Sequence, residues 1–302
     1  MVRRILLVVN RKSRTGGEQL QAAEACLRKV GLEVIAVGIE APAEIPDAIR
    51  MRAGEVDLVA LGGGDGTLNI ACEALLETQL PFAILPLGTA NDLARTLSIP
   101  TKLEEACAIA ANGLKYRIDL GRANGKHFFN VASIGLSVAV ARSIDTETKR
   151  RWGPAGYAIT LVRTLGEQRP FRARITCDGR LMVVHAIQIA VGNGRHYGGG
   201  MTVAPEAAID DNLLHLYSIA PVSLLRLILL APALRTGYQG RFEGVHRLCG
   251  KRIRVETRRR LPVSTDGEVT THTPVDFEVV PAAVEVMVPP EYLRMGQANA
   301  AQ

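Results

Sequence analysis

The chain has 302 residues, 47% hydrophobic and 22% charged, which is the composition of an ordinary globular protein of about two domains. Its net charge of +6 is a modest basic excess, and aromatic residues at 4% are too few for a base-stacking platform, so nucleic acid is not an expected partner. The longest apolar stretch, residues 224–234, is too short to span a bilayer and is interrupted by Arg226 and Pro232.

In chain order, residues 5–9 read as a buried strand, followed by a helix near 17–30 and a strand at 33–39. A short helix near 45–53 leads into a strand at 57–61. A helix at 68–77, a strand at 82–85 and helices at 92–97 and 103–111 follow. Short apolar runs alternating with helical periodicity imply βαβ crossovers and a parallel sheet, so residues 1–120 form an α/β domain. Beyond about Asp119 the pattern changes. Asn124-Gly125 and Asp178-Gly179 each separate two strand-like runs, as in hairpins with left-handed turn residues. Further strands are expected at 183–191, 213–219, 252–257, 275–280 and 284–288, with helices near 136–148, 155–168 and 223–234. Residues 121–283 therefore read as a β-rich second domain, and the small, polar tail at 296–302 as frayed. Five scattered cysteines form no CxxC pair, and the run at 5–9 is cut short by Asn10-Arg11-Lys12. Reduced thiols in a cytoplasmic protein without a secretory signal are the expectation.

The chemistry concentrates where strands end. Gly62-Gly63-Gly64-Asp65-Gly66-Thr67 follows a buried strand and opens a helix, the place where open α/β sheets collect ligands. Glycines let backbone N–H groups approach a phosphate, Thr67 is placed to cap the helix, and the helix start favours anions. Asp65 would repel phosphate, so it suits orienting the loop, binding a ribose or meeting a metal held by the phosphates. A second loop, Pro86-Leu87-Gly88-Thr89-Ala90-Asn91-Asp92, ends the next strand. Gly88 again permits close approach, Thr89 offers a hydroxyl, and Asn91 or Asp92 is placed to cap the following helix. A third loop runs from Val9-Asn10 to Gly16-Gly17. Three polar loops at three strand ends make one nucleotide crevice. Neither GxxxxGK[ST] nor GxGxxG spacing is present.

Val9-Asn10, Gly63-Gly64-Asp65-Gly66-Thr67 and Pro86-Leu87-Gly88-Thr89-Ala90-Asn91-Asp92 resemble the three N-terminal motifs of the diacylglycerol kinase catalytic domain. That superfamily includes the soluble bacterial lipid kinases, the sphingosine kinases and ceramide kinase. NAD kinases share the GGDGT loop but lack the PLGTxND loop. The resemblance implies an α/β N-terminal domain with a parallel sheet, of the NAD kinase and diacylglycerol kinase type, and a β-sandwich C-terminal domain. It also implies a final segment, about 284–296, that packs back on the first domain, and an active site in a cleft between the two. ATP and magnesium are the implied cofactors. Asn10, Gly63, Gly64, Asp65, Gly66, Thr67, Asn69, Gly88, Thr89, Asn91 and Asp92 are the implied nucleotide-binding set.

The resemblance extends over nearly the whole chain. Gly192-Asn193-Gly194-Arg195-His196-Tyr197-Gly198-Gly199-Gly200-Met201 is similar to the glycine-rich segment of the bacterial lipid kinases, and it leads into Ala204-Pro205 and Ala208-Ile209-Asp210-Asp211-Asn212-Leu213. By position, a structural magnesium would be held by Asp211 and the carbonyls of Ala208 and Leu213, oxygen ligands of the kind magnesium prefers. Asn212 stands where the family usually has glycine; asparagine tolerates a left-handed backbone. In Ser264-Thr265-Asp266-Gly267-Glu268 the resemblance makes Glu268 the base for the lipid hydroxyl, Asp65 a catalytic partner, and Asp266 a second choice of base or metal ligand. From the residues alone, Asp266-Gly267 reads equally as a hairpin turn. Residues 37–42 lack the threonine with which the family usually contacts ATP. His196 adjoins the glycine-rich segment, whereas His127, His185, His215, His246 and His272 show no ligand spacing or partner. Lys149-Arg150-Arg151 and Arg258-Arg259-Arg260 read as solvated faces or as contacts to phosphate or lipid headgroups.

The expected protein is an ATP- and magnesium-dependent kinase of a lipid hydroxyl, diacylglycerol or a related lipid, cytoplasmic with peripheral contact to a membrane surface; a homodimer is left open. The alternatives are a kinase of NAD type acting on a soluble substrate, and a catalytically silent protein that binds nucleotide or lipid.

Overall fold

A computed structural model describes residues 3–10, 16–143, 169–204, 207–222 and 244–293. The basic cluster at 149–151, the expected helices at 155–168 and 223–234, and the tail at 296–302 lie outside the described residues. In chain order the first elements are β1 (Arg4–Asn10), α1 (Gly16–Lys29), β2 (Glu33–Ile39), α2 (Ile45–Arg52), β3 (Leu58–Gly63), α3 (Asp65–Thr78), β4 (Phe82–Pro86), α4 (Asp92–Thr96), α5 (Leu103–Asn112) and β5 (Leu114–Ala123). Then come β6 (Lys126–Phe128), β7 (Val131–Gly135), α6 (Leu136–Ser143), β8 (Phe171–Cys177), β9 (Arg180–Ala186), β10 (Gln188–Gly192), β11 (His196–Tyr197), β12 (Met201–Thr202) and β13 (Leu214–Ile219). The chain closes with β14 (Val245–Gly250), β15 (Arg252–Thr257), β16 (Pro262–Thr265), β17 (Glu268–His272) and β18 (Val275–Val288). It divides into two compact units, residues 1–120 with 281–302, and residues 121–280.

The first unit is an α/β domain around a parallel sheet. β2, β1, β3 and β4 lie side by side in that order, all parallel. Ile5, Leu6, Leu7 and Val8, like Leu58, Val59, Ala60 and Leu61, are wholly buried, as expected of strands covered on both faces. Right-handed crossovers run one way from β1 to β2 and back from β2 to β3, which puts α1 and α2 on opposite faces. Accordingly α1 packs on α5 and α2 on α3. The strand order reverses between β1 and β3, a switch point at which ligands gather beyond the strand ends. Register sets those ends together: Val9 lies opposite Gly62, and Gly63 opposite Pro86. Cys72 and Cys107 are buried in this unit, and burial, reinforced by the interaction with Cys26, pushes the Cys107 thiol well above the usual range.

The second unit is a β-sandwich. One layer is antiparallel, in the order β14-β13-β10-β7-β16-β17. Its inward residues Ile134, Ile189, Val191, Leu214, Leu216 and Val263 pack against Ala173, Ile175, Ile253, Val255, Val275 and Phe277 of the opposing strands. Asn124-Gly125, Asp178-Gly179 and Asp266-Gly267 all take two successive left-handed conformations, the two-residue turn that matches strand twist in tight hairpins.

Three expectations from the sequence change here. The apolar run at 183–191 is two strands in two different layers: β9 ends at Ala186, the Ile187 N–H bonds the Ile219 carbonyl at 2.9 Å, and β10 begins at Gln188. An uninterrupted apolar run does not mark where a chain changes layer. Conversely, the two runs at 275–280 and 284–288 are one strand, β18, with Ala282 left-handed at its middle and its N–H held by the Asp119 carboxylate at 2.8 Å. Finally, α3 starts at Asp65, three residues before the expected Leu68.

Candidate active site

The early start of α3 reassigns the loop that precedes it. Gly64 is the N-cap and no side chain caps this end, so Thr67 is not the cap; it sits in the first turn, with its N–H on the Gly64 carbonyl at 3.0 Å. The uncapped start of a 14-residue helix presents backbone donors and the positive end of the dipole, the arrangement that suits a phosphate.

The glycines do something more specific than the sequence suggests. A Cβ on Gly63 would lie 2.2 Å from Thr67 Oγ1, and one on Gly62 2.7 Å from Val9 Cγ2. A Cβ on Gly88 would lie 2.4 Å from Gly64 Cα, so the two loops touch backbone to backbone. Among these, Gly66 alone faces open space. Close packing inside the protein, more than access for a ligand, requires glycine at 62, 63 and 88.

Polar side chains complete the joint. Asn91, left-handed and 8% exposed, accepts the Gly88 N–H at 3.1 Å and donates to the Gly88 carbonyl at 2.9 Å. It occupies the N-cap position of α4 but makes no cap bond. That task falls to Asp65, whose two carboxylate oxygens accept the N–H groups of Asp92 and Leu93, each at 3.1 Å. Asp65 thereby orients the second loop against the first. Asp92 is buried, Asn69 half-buried and Thr89 exposed at the loop tip, while the side chain of Asn10 lies outside the described residues. One expected result follows. Gly88→Ala should drive the loops apart and lower stability by about 1–3 kcal/mol through overpacking; a melting curve checks it.

In the second unit, Asp266 and Glu268 separate cleanly. The Asp266 carboxylate accepts three consecutive backbone N–H groups, from Phe129 at 2.8 Å, Asn130 at 2.9 Å and Val131 at 3.0 Å, and its own N–H bonds the Val131 carbonyl at 2.9 Å. Asp266 thus pins the β16–β17 hairpin to the segment before β7. Glu268 opens β17 one residue past the turn; it is exposed, and no hydrogen bond or ion pair engages its side chain among the described residues. The same segment is held from its other side by Asn193, 1% exposed, whose Nδ2 donates to the Phe129 carbonyl at 3.0 Å and whose N–H bonds Asn130 at 2.9 Å. Asn130 was not singled out from sequence, and Asn193 only as part of the glycine-rich segment; an asparagine at the border of an apolar strand was the available sign.

The glycine-rich segment is a hairpin of β11 and β12 joined by Gly198, Gly199 and Gly200, all left-handed. Tyr197 of β11 and Tyr217 of β13 share a hydroxyl–hydroxyl contact, and burial pushes the Tyr217 phenol up to about 12. The Arg195 guanidinium donates to the Ala207 carbonyl at 3.3 Å, tying the hairpin to the next loop.

In that loop Asp211 accepts the N–H groups of Ala208 at 3.0 Å and Leu213 at 2.9 Å, and Asn212 is left-handed, with φ 59°. Asp211 thus meets Ala208 and Leu213 through their N–H groups, not through the two carbonyls expected as ligands. A fourth member had been passed over: His215 Nε2 lies 2.8 Å from Asp211 Oδ2, and the ring is 6% exposed. The i, i+4 spacing of Asp211 and His215 was its sign, obscured because the intervening turn enters a strand. Among the described residues no three His, Cys, Asp or Glu side chains gather as a metal cluster. A cation here would rest on the Asp211 carboxylate, with His215 hydrogen-bonded behind it and backbone oxygens and water completing the shell, oxygen ligands of the kind magnesium prefers.

Comparison with known proteins decides the family. Residues 4–123 match the diacylglycerol kinase catalytic domain, and residues 130–288 match the YegS C-terminal NAD kinase beta sandwich-like domain. The chain belongs to the diacylglycerol kinase family. A relative from Pseudomonas aeruginosa named "Probable lipid kinase YegS-like" is 35% identical over 95% of this chain and 94% of its own. A Mycobacterium tuberculosis protein named "Diacylglycerol kinase" is 32% identical over 90% of this chain and 91% of its own. A crystal structure of a diacylglycerol kinase from Bacillus anthracis superposes with a TM-score of 0.77 at 29% identity, covering 96% of this chain and 98% of that one. As a member of this family the chain carries the parallel α/β domain and the β-sandwich that its motifs imply.

Proposed function

We propose that this diacylglycerol kinase family member transfers the γ-phosphate of MgATP to the hydroxyl of diacylglycerol or a related lipid, with Glu268 accepting the hydroxyl proton. The observation that carries the reading is the division of labour among the three candidate acids. Asp65 caps α4, Asp266 holds three backbone N–H groups, and only Glu268 is exposed and without a partner among the described residues. A carboxylate open to solvent is free to receive a proton; one committed to backbone donors is committed to structure. The uncapped start of α3, with Gly66 and Thr89 exposed beside it, is the seat we assign to the nucleotide phosphates.

Asp211, with the carbonyls of Ala208 and Leu213, would hold a hydrated magnesium that fixes the loop; no step of the transfer is assigned to it. Among the described residues no helix is long and apolar enough to cross a membrane, so we assign access to the lipid to contact with a membrane surface. Transfer of labelled phosphate from ATP, measured in parallel with lipid micelles and with NAD, tests the reading. Labelled lipid and unlabelled NAD are expected; labelled NAD with unlabelled lipid would sink it.

A further inference from the structure

The second unit carries arginines that the proposed chemistry does not use. Arg258, Arg259 and Arg260 lie between β15 and β16 and are all exposed. The β15–β8 register ends with Thr257 opposite Ala173, so this turn leaves the sheet beside the start of β8. There Arg172 and Arg174 alternate with buried Ala173, and exposed Arg169 precedes them. Farther along β15 and on neighbouring β18 acids answer the cations: Arg254 pairs with Asp276 at 2.7 Å, and Glu278 with Arg122 of β5. At this end only Arg174 has an acidic neighbour, Glu256 at 3.9 Å, which also pairs with Arg254. The other five guanidinium groups make no ion pair among the described residues.

The neighbouring edge strand adds a second property. β9 sets His185 opposite Arg172 and Val183 opposite Arg174; Val183, 46% exposed, is diagonal to the unpaired Arg172, and Leu181, 57% exposed, continues the edge strand away from this end. Unpaired arginines beside exposed aliphatic side chains match a surface of phosphates over hydrocarbon. Nucleic acid fits less well, because the exposed apolar neighbours are aliphatic and not rings that stack on bases.

We propose that this end of the second unit docks on an anionic phospholipid bilayer. The lipid-kinase reading supplies the reason for visiting a bilayer, but docking is measurable without turnover. Each basic side chain close to an anionic surface is worth roughly a fivefold gain in binding, and added salt weakens it.

Flotation of the full chain with phosphatidylcholine vesicles, with and without phosphatidylglycerol, is the test. Binding should require phosphatidylglycerol, fall as salt rises, and weaken at least about tenfold in R258A/R259A/R260A. The corresponding triple lysine variant should restore most of it, and Arg172→Glu, on the sheet itself, should reproduce the loss. R50A/R52A in the first unit should bind as the parent does. Equal binding to both kinds of vesicle overturns the proposal. So does parental binding by the triple alanine variant, or retention of duplex nucleic acid but not of vesicles through these arginines. Lipid phosphorylation in neutral detergent micelles, measured on the same samples, keeps the two readings apart. Charge-dependent vesicle binding without kinase activity would remove the lipid-kinase reading and leave the docking face standing.

Discussion

Glu268→Gln is expected to lower kcat for lipid phosphorylation by about 100- to 10,000-fold, the usual contribution of a positioned general base, while ATP binding stays near that of the parent. The amide keeps the size and polarity of the side chain and removes only its capacity to take a proton. Because Glu268 is exposed and unpartnered among the described residues, the substitution should change stability by no more than about 0.5 kcal/mol. Turnover in lipid micelles, nucleotide affinity by fluorescence titration and a melting curve make the three readings. Parallel loss of nucleotide binding and turnover would mean that Glu268 shapes the protein and does not act on the hydroxyl.

Asp266→Ala should produce the largest loss of stability of any change near the site. Three backbone N–H groups, at 2.8, 2.9 and 3.0 Å, lose their acceptor together. Hydrogen bonds to a charged group are worth about 1.5–3 kcal/mol each, but all three share one partly exposed carboxylate, so their sum overstates the effect. Alanine also tolerates the left-handed conformation at this position, φ 47°, less well than aspartate. A loss of about 3 kcal/mol or more is expected, which for a chain of this size lowers Tm by roughly 6–12 °C. Asp266→Asn separates the causes: asparagine accepts the backbone conformation but offers one carbonyl oxygen to three donors, so an intermediate Tm is expected. Abolished activity at an unchanged Tm would instead return Asp266 to the chemistry.

The two predictions rest on a distinction that was only half visible in the sequence. Asp266-Gly267-Glu268 reads equally as a turn and as a catalytic motif, and the structure divides the two acids: the turn belongs to Asp266, and Glu268 is left with an unpartnered carboxylate among the described residues. What the sequence conceals is the partner. Phe129, Asn130 and Val131 lie more than 130 positions away and contribute backbone N–H groups, which no side-chain pattern advertises. Asp65 shows the same limit, because its role depends on the N–H groups of Asp92 and Leu93.

The first unit was legible almost element by element, because buried parallel strands and amphipathic helices differ in period and glycine punctuates their ends; β2 keeps the bounds 33–39. The start of α3 escaped because Asp65 and Gly66 are weak helix formers, and tertiary contacts, the Asp65 cap and the Gly64–Gly88 approach, outweigh their propensity. In the sandwich the hairpins were legible from Asn-Gly and Asp-Gly, and the division of layers was not. Ile187 is apolar like its neighbours, and only its bond to Ile219 shows that the chain has changed sheets.

The Asp65 carboxylate spans two loops that sit on successive strands, and a consequence follows for how the family can diversify. Residues 62 to 93 are a continuous stretch holding the acceptor, both of its donors and the facing glycines at 64 and 88. Either loop exchanged alone between distant relatives would arrive without its counterpart. The stretch as a whole carries this joint, but Gly62 packs against Val9, so a module moved by recombination would have to meet a compatible β1.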